Sequence, residues 1–236
     1  METTGERVAG TPTELAADLL VALRTDDDPE SRLSALDSLS ERDLTPVGED
    51  RETALAFWLN CYNAGTAHLL AERPGLYDSR WRFFRAPALS VAGHPLSLDD
   101  IEHGLLRGSR SKYGLGYLPR LLPDSFELRY ALSTVDPRLH FALHCGAASC
   151  PAIRAYDPGS VDDQLDLATR TYLDSTVEHD GGVVWIPRVF RWFPGDFGGR
   201  SGVRDFLRRY GQLPDETASL GYLDWDWSKE TPTFVG

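Results

Sequence analysis

At 236 residues with 42% hydrophobic side chains, the chain is long enough to bury one sizeable core. Lys plus Arg is 24 against 36 Asp plus Glu, a formal charge of −12, and no basic stripe of the kind a nucleic-acid backbone requires is present. No window approaches the ~18 apolar residues of a membrane span, and the polar residues 1–10 argue against a secretory signal.

Only Lys112 and Lys229 are lysines. An acidic excess with so few of them fits a cytoplasm of high salt, where screening weakens self-repulsion and carboxylates keep the surface hydrated. Three cysteines, Cys61, Cys145 and Cys150, are too few for a disulfide framework and fit a reducing cytosol. Neither nucleic acid nor membrane is expected as a partner, and nothing in the sequence fixes the oligomeric state.

Residues 12–24 predict a helix with Leu15, Leu19, Leu20 and Leu23 on one side, and a second, short helix follows Pro29 with Leu33, Leu36 and Leu39. Both are expected to be plain packing helices, forming an extension over residues 1–45 ahead of one domain at 46–236. A third helix is predicted from about 50 to 71 and ends at Arg73-Pro74-Gly75. Its centre is too apolar for a surface helix. Asn60 and Asn63 stand three residues apart inside it, on one face. A buried amide without partners costs about 1–3 kcal/mol, so the two either tie a loop to the helix or line a pocket.

The arginine- and aromatic-rich residues 80–87 suggest cations lying over rings. Two short strands are expected at 89–91 and 95–96 around Gly93-His94. Ser97-Leu98-Asp99-Asp100 has the form of a capping box opening a helix with Glu102 and His103 in its first turns. Residues 107–134 are rich in glycine and proline, with room for one helical turn. A helix is expected at 161–173, a strand at 183–186, a structured aromatic loop at 190–197, a last helix at 203–210 and an extended ending at 222–227.

The chemistry concentrates at residues 138–151, R-L-H-F-A-L-H-C-G-A-A-S-C-P. Leu139, Phe141 and Leu143 alternate with His140, Ala142 and His144, the period of a strand with one buried face. A tight loop follows at Gly146, and Cys150-Pro151 has the form of a helix start. The expected fold is α+β: a core helix packed against a small, mostly antiparallel sheet that includes 138–144 and 183–186, with N-terminal helices. Such a fold would suit a papain- or transglutaminase-like site, by analogy alone.

Several stretches together resemble the domain of unknown function 547 family, which has no settled activity. They are A-F-W-L-N-C-Y-N-A at 56–64, L-S-L-D-D-I-E-H-G-L-L-R at 96–107, D-P-R-L-H-F-A-L-H-C-G-A-A-S-C-P at 136–151, W-F-P-G-D-F at 192–197 and the Asp-Trp ending at 224–227. The likeness runs over roughly residues 50–228. Under the resemblance, family motif positions carry over to Asn60, Asn63, Glu102, His103, Arg138, His140, Cys145, Ser149, Cys150, Pro151 and Asp196. His144 stands where the family pattern more often has Asn, so the resemblance gives it no essential role. Plant relatives carry a coiled-coil region that this chain lacks.

Two main readings follow. In the first, a cysteine nucleophile and a histidine base hydrolyse or transfer an acyl or amide group of a small-molecule or peptide substrate. Cys145 is preferred over Cys150, with the Gly-Ala-Ala-Ser turn supplying oxyanion donors. His103 is the expected base, His140 its rival, and Glu102 or Asn60 the orienting group. Asn63, Arg138, Ser149 and Asp196 would bind substrate, and no cofactor is called for. In the second, the protein is a binding module whose Cys, His, Asn and Glu residues form a structural polar network. A metal site of His140, His144, Cys145 and Cys150 is disfavoured, because a strand would hold the two imidazoles roughly 13 Å apart. A reversible disulfide between Cys145 and Cys150 is permitted if their loop folds back.

Overall fold

The computed structural model describes residues 10–213, 215 and 217–235; residues 1–9, most of the segment expected to be free of a secretory signal, lie outside them. Helix α1 (Pro12–Thr25) starts where Thr11 and Glu14 form a reciprocal capping box and proline takes the first position. Short helices α2 (Glu30–Asp37) and α3 (Thr45–Glu49) lead to α4 (Arg51–Glu72), where Asp50 accepts from the Thr53 N–H at 2.8 Å. Every residue of α4 from Ala54 to Ala67 is buried. The helix can be apolar all round because neighbours cover it on every side. Leu15, Leu19, Leu20 and Leu36 of the first two helices belong to the same hydrophobic cluster as α4.

Helix α5 (Arg80–Arg85) precedes an antiparallel hairpin of β1 (Pro87–Val91) and β2 (His94–Ser97). Ala92 and Gly93 turn it, both with positive φ (51° and 78°). The hairpin is the sheet on which α4 rests. A Cβ on Gly65 would lie 3.0 Å from the Cβ of Ala88, so helix and strand meet at a position that only glycine leaves open. Beyond it come α6 (Ser125–Tyr130), α7 (Val161–Thr176), β3 (Glu178–Asp180), β4 (Val183–Ile186), α8 (Val189–Trp192), α9 (Gly199–Arg209) and β5 (Ser219–Tyr222). Strand β4 pairs antiparallel with β3 and parallel with β5. A second cluster, built on Phe141, Phe190, Phe197 and Phe206, packs under this sheet. Among the described residues no helix is long and apolar enough to cross a membrane.

The α+β class and most helices agree with the sequence. Four local expectations fail. Residues 138–144 form no strand: Pro137–Phe141 is a 3-10 turn that runs into irregular chain. Pro137 fixes the first φ, and the Asp136 carboxylate caps the turn by accepting from the Arg138 N–H at 3.0 Å. The alternation misleads because both faces are covered; His140 and His144 are buried along with Leu139 and Phe141. No helix begins at Cys150-Pro151, which continues as extended chain to Ile153. The segment after the capping box at Ser97–Asp100 is a π-helix, Asp100–Leu106, with N–H to C=O bonds from Arg107 to Glu102 and from Ser109 to Gly104. Wide turns of this kind recur at functional sites. Residues 190–197 fold into α8 and the 3-10 turn Pro194–Phe197 rather than a loop, and β5 ends at Tyr222, leaving 223–228 as a strap of irregular chain.

Candidate active site

A cavity of about 410 Å³ opens where the π-helix, the 3-10 turn at 137–141, α8 and the C-terminal strap meet. Four of the six expected catalytic residues line it: Glu102, His103, His140 and Cys145. Its other walls are mainly apolar, with Leu143, Trp192, Phe193, Trp225 and Trp227 among them. A site of this build, apolar with a few convergent polar groups, is the usual form of a small-molecule pocket.

Beneath the cavity lies a buried ion pair between Asp196, expected to bind substrate, and Arg107, which the sequence patterns do not single out. Arg107 meets Asp196 in a fork, Nε to Oδ2 at 2.6 Å and the second contact at 3.2 Å, and neither side chain is exposed. Asp196 sits too close to Gly116 for any side chain there, 2.6 Å from where a Cβ would be. The available signal was the four-residue spacing of His103 and Arg107 in a helical segment. Arg107 also donates to His103 Nδ1 at 2.9 Å, and its guanidinium lies 4.0 Å over the Phe193 ring.

This pair sets the state of both imidazoles. Arginine can only donate, so His103 Nδ1 accepts and the ring proton sits on Nε2, 3.7 Å from Asp99. Burial and the Arg107 charge hold His103 well below its ordinary pKa, so the ring is neutral. Asp196 also contacts His140 Nε2 at 2.9 Å. Burial alone would raise the Asp196 pKa, but hydrogen bonds from His140 and Arg107 hold it below the usual carboxylate range. His140 therefore donates from Nε2, which leaves Nδ1 as its acceptor. The ring is fixed by stacking on Phe193, 5.0 Å away and 5° from parallel. Burial lowers the His140 pKa against the pull of Asp196. Among the described residues no hydrogen bond reaches His140 Nδ1. His103, the expected base, has its lone pair occupied; the imidazole with an open acceptor is His140.

Glu102 receives the Tyr62 hydroxyl at 3.4 Å, and burial pushes its carboxyl up to about 7. It stands 3.6 Å from His103 Nδ1, outside hydrogen-bond range, so it does not orient that ring. Cys145 reaches the cavity from the irregular chain after the 3-10 turn. A hydrogen bond to Cys150, with burial, raises its thiol pKa well above the ordinary value. Among the described residues no hydrogen bond joins that thiol to an imidazole.

The remaining expected residues are placed elsewhere. Asn60 donates to the Tyr156 C=O at 2.9 Å and accepts from its N–H at 2.8 Å, so it meets no imidazole. Asn63 treats the next segment alike, with the Ala142 C=O at 3.0 Å and the His144 N–H at 2.9 Å. Each amide replaces a neighbouring strand for one backbone step, and Asn63 thereby fixes the residue before Cys145. Arg138 binds Asp136, Asp162 and Asp166 on the far side of the 3-10 turn. Ser149 accepts from the Asp226 N–H at 2.8 Å, and Ser149 and Cys150 line a separate cavity of about 400 Å³. The N–H groups of Ala148 and Ser149, expected as oxyanion donors, bond to the Ser228 and Asp226 carbonyls of the strap. Of that turn, Gly146 N–H has no bond among the described residues. His144 Nδ1 contacts the Pro151 C=O at 2.8 Å, and no group of three or more described His, Cys, Asp or Glu side chains is arranged to hold a metal ion.

Residues 47–173 match the family model described as Protein of unknown function, DUF547, which is more than half of the chain. That segment carries Glu102, His103, Arg107, His140 and Cys145; Asp196 and the strap lie beyond it. No curated protein matches the chain, and no solved structure does.

Proposed function

The chain belongs to the domain of unknown function 547 family, and on the geometry of its cavity we propose that it hydrolyses or transfers an acyl or amide group through Cys145, with His140 as base. The observation that carries this reading is a shared wall: Cys145 and a neutral imidazole anchored by a buried carboxylate open onto one apolar cavity. Asp196 fixes the tautomer of His140 and would stabilise the imidazolium formed in the reaction, the role of the third group in catalytic triads generally.

At rest the thiol keeps its proton. The proton passes to His140 Nδ1 as the sulfur attacks the carbonyl carbon, and returns from the imidazolium to the leaving oxygen or nitrogen as the tetrahedral species collapses. Water, or an acceptor nucleophile, then releases the acyl group from sulfur by the same route. In this reading Gly146 N–H, which has no bond among the described residues, would receive the oxyanion. The mainly apolar walls favour an uncharged acyl group.

A panel of aryl esters and amides, read by intact mass for an adduct on Cys145, tests the proposal. An acyl-enzyme on Cys145 is expected, with its formation slowed about 10²–10⁴-fold by His140→Ala and abolished by Cys145→Ala. Turnover that survives Cys145→Ala sinks the reading. The binding-module alternative draws support from Asn60, Asn63 and Arg138, whose polar atoms face their own chain; it predicts bound ligand without any adduct.

A further inference from the structure

The loop from Cys145 to Cys150 folds back on itself. The Cys145 N–H points at the Cys150 sulfur at 3.0 Å, and the Cys150 N–H closes the turn on the Ala147 C=O at 2.9 Å. The strap and the residues just after it clamp the turn from outside: Ala148 N–H to Ser228, Ser149 N–H to Asp226, and Glu230 N–H to the Gly146 C=O at 3.1 Å. The two cysteines also line different spaces, Cys145 the cavity of about 410 Å³ and Cys150 the one of about 400 Å³.

We propose that Cys145 and Cys150 are a redox-active dithiol that a hydroperoxide converts to a disulfide, with Cys145 attacked first and Cys150 as the resolving thiol. A sulfur that accepts from a cysteine's own N–H lies within a side-chain rotation of that cysteine's sulfur, so no backbone rearrangement is needed. The fold has already met the entropy of closing the loop, so the second thiol acts at high effective concentration. Cys61, fully buried in α4, is excluded from the exchange and serves as an internal control.

The chemistry balances. The Cys145 sulfur attacks the distal oxygen of ROOH, the O–O bond breaks and the alkoxide leaves, giving Cys145–SOH and ROH, the thiol proton ending on the alcohol. Cys150 then attacks the sulfenic sulfur and the hydroxyl leaves as water with the Cys150 proton. Together the two thiols give up two electrons and two protons to one hydroperoxide. A dithiol reverses the change by attacking Cys150 from the second cavity. Because the thiolate is the reacting form, the Cys145 step accelerates as pH rises through the alkaline range.

The test uses the whole chain, treated with a small excess of hydrogen peroxide at mildly alkaline pH, quenched, alkylated in denaturant and digested with trypsin. Cleavage after Arg138 and Arg154 leaves both cysteines on the peptide 139–154. The expected product is that peptide unalkylated and two hydrogens lighter, restored by dithiothreitol to the doubly alkylated form, with Cys61 alkylated throughout. In Cys150→Ser, a dimedone adduct on Cys145 replaces the disulfide. Oxidation in urea should instead scatter pairings over all three cysteines. Either of two results in the folded wild type overturns the proposal: a doubly alkylated 139–154 peptide, or Cys145 carried to sulfinic acid with Cys150 still a thiol. The proposal does not rest on the hydrolase reading. A chain that is acylated but never forms the disulfide defeats only this inference, and one that forms the disulfide but is never acylated defeats only the other.

Discussion

Two arginine–carboxylate clusters in this protein use the same chemistry at different depths. Arg107 and Asp196 are wholly buried, and their network ends on two imidazoles in the cavity wall. Arg138 sits at the edge, where Asp136 is buried but the Asp162 and Asp166 side chains are 52% and 40% exposed and Arg51 shares the load on Asp136. Water can replace a lost partner in the second cluster and cannot in the first. The edge cluster therefore fastens α7 to the turn that carries His140. The buried one determines which imidazole nitrogen is free. Residue type gives the pairing; burial decides whether the pair holds two elements together or sets proton positions.

The sharpest way to break the comparison is Asp196→Asn. It keeps the shape but leaves the Arg107 charge buried and unmatched, and removing one member of a buried pair typically costs about 3–5 kcal/mol. Urea unfolding should show a loss of that size, and Arg107→Met on the same background should recover part of it. A loss near zero would mean that the pair is not carried as ions.

A smaller effect comes from Glu102, and its sign follows from the direction of its shift. Its folded pKa is raised to about 7 from 4.5. Between those values the folded chain holds a proton that the unfolded chain lacks. Stability from this group is therefore full below the unfolded pKa and falls as pH rises through about 7, by about 3 kcal/mol at most. His103 acts oppositely: its pKa is lowered on folding, so its term destabilises the fold as pH drops below the ordinary histidine range. Glu102→Gln removes only the first term. The variant should gain on wild type between mildly acid and mildly alkaline pH in paired urea titrations, and a constant difference across that range would refute the buried, protonated carboxyl.

The depth of each cluster was not legible in the sequence, although much else was. Helix α4 announced itself by its length, its apolar run and its Arg-Pro stop, and the capping box at Ser97–Asp100 stood in the letters. Glu102, His103, His140 and Cys145 were legible as a set, yet on a strand His140 would have been too far from Cys145 to share a wall. The 3-10 turn removes that distance, and what produces the turn is Pro137 with the Asp136 cap, both visible but outweighed by the alternation of Leu139, Phe141 and Leu143. Asn63 completes the error, because its amide satisfies the backbone that a neighbouring strand would otherwise have claimed. Arg107 and Asp196 are 89 residues apart, and no local pattern couples them.

The smallest expected effect sharpens the contrast by its response to salt. Arg138→Lys loses the planar fork on Asp136, held by Nε at 2.9 Å and the terminal nitrogen at 2.6 Å, but Arg51 still serves that carboxylate at 2.6 Å. Lysine keeps the charge, and Asp162 and Asp166 keep their water, so the cost should be about 1 kcal/mol. Raising ionic strength shortens the screening length from about 8 Å to about 3 Å. The exposed ends of the edge cluster lie in that solvent, so the gap between wild type and Arg138→Lys should narrow at high salt. The Asp196→Asn gap should hold, because salt does not enter where neither side chain is exposed. If both gaps narrow together in unfolding curves at low and high salt, the two clusters are equally wet and depth is not what separates them.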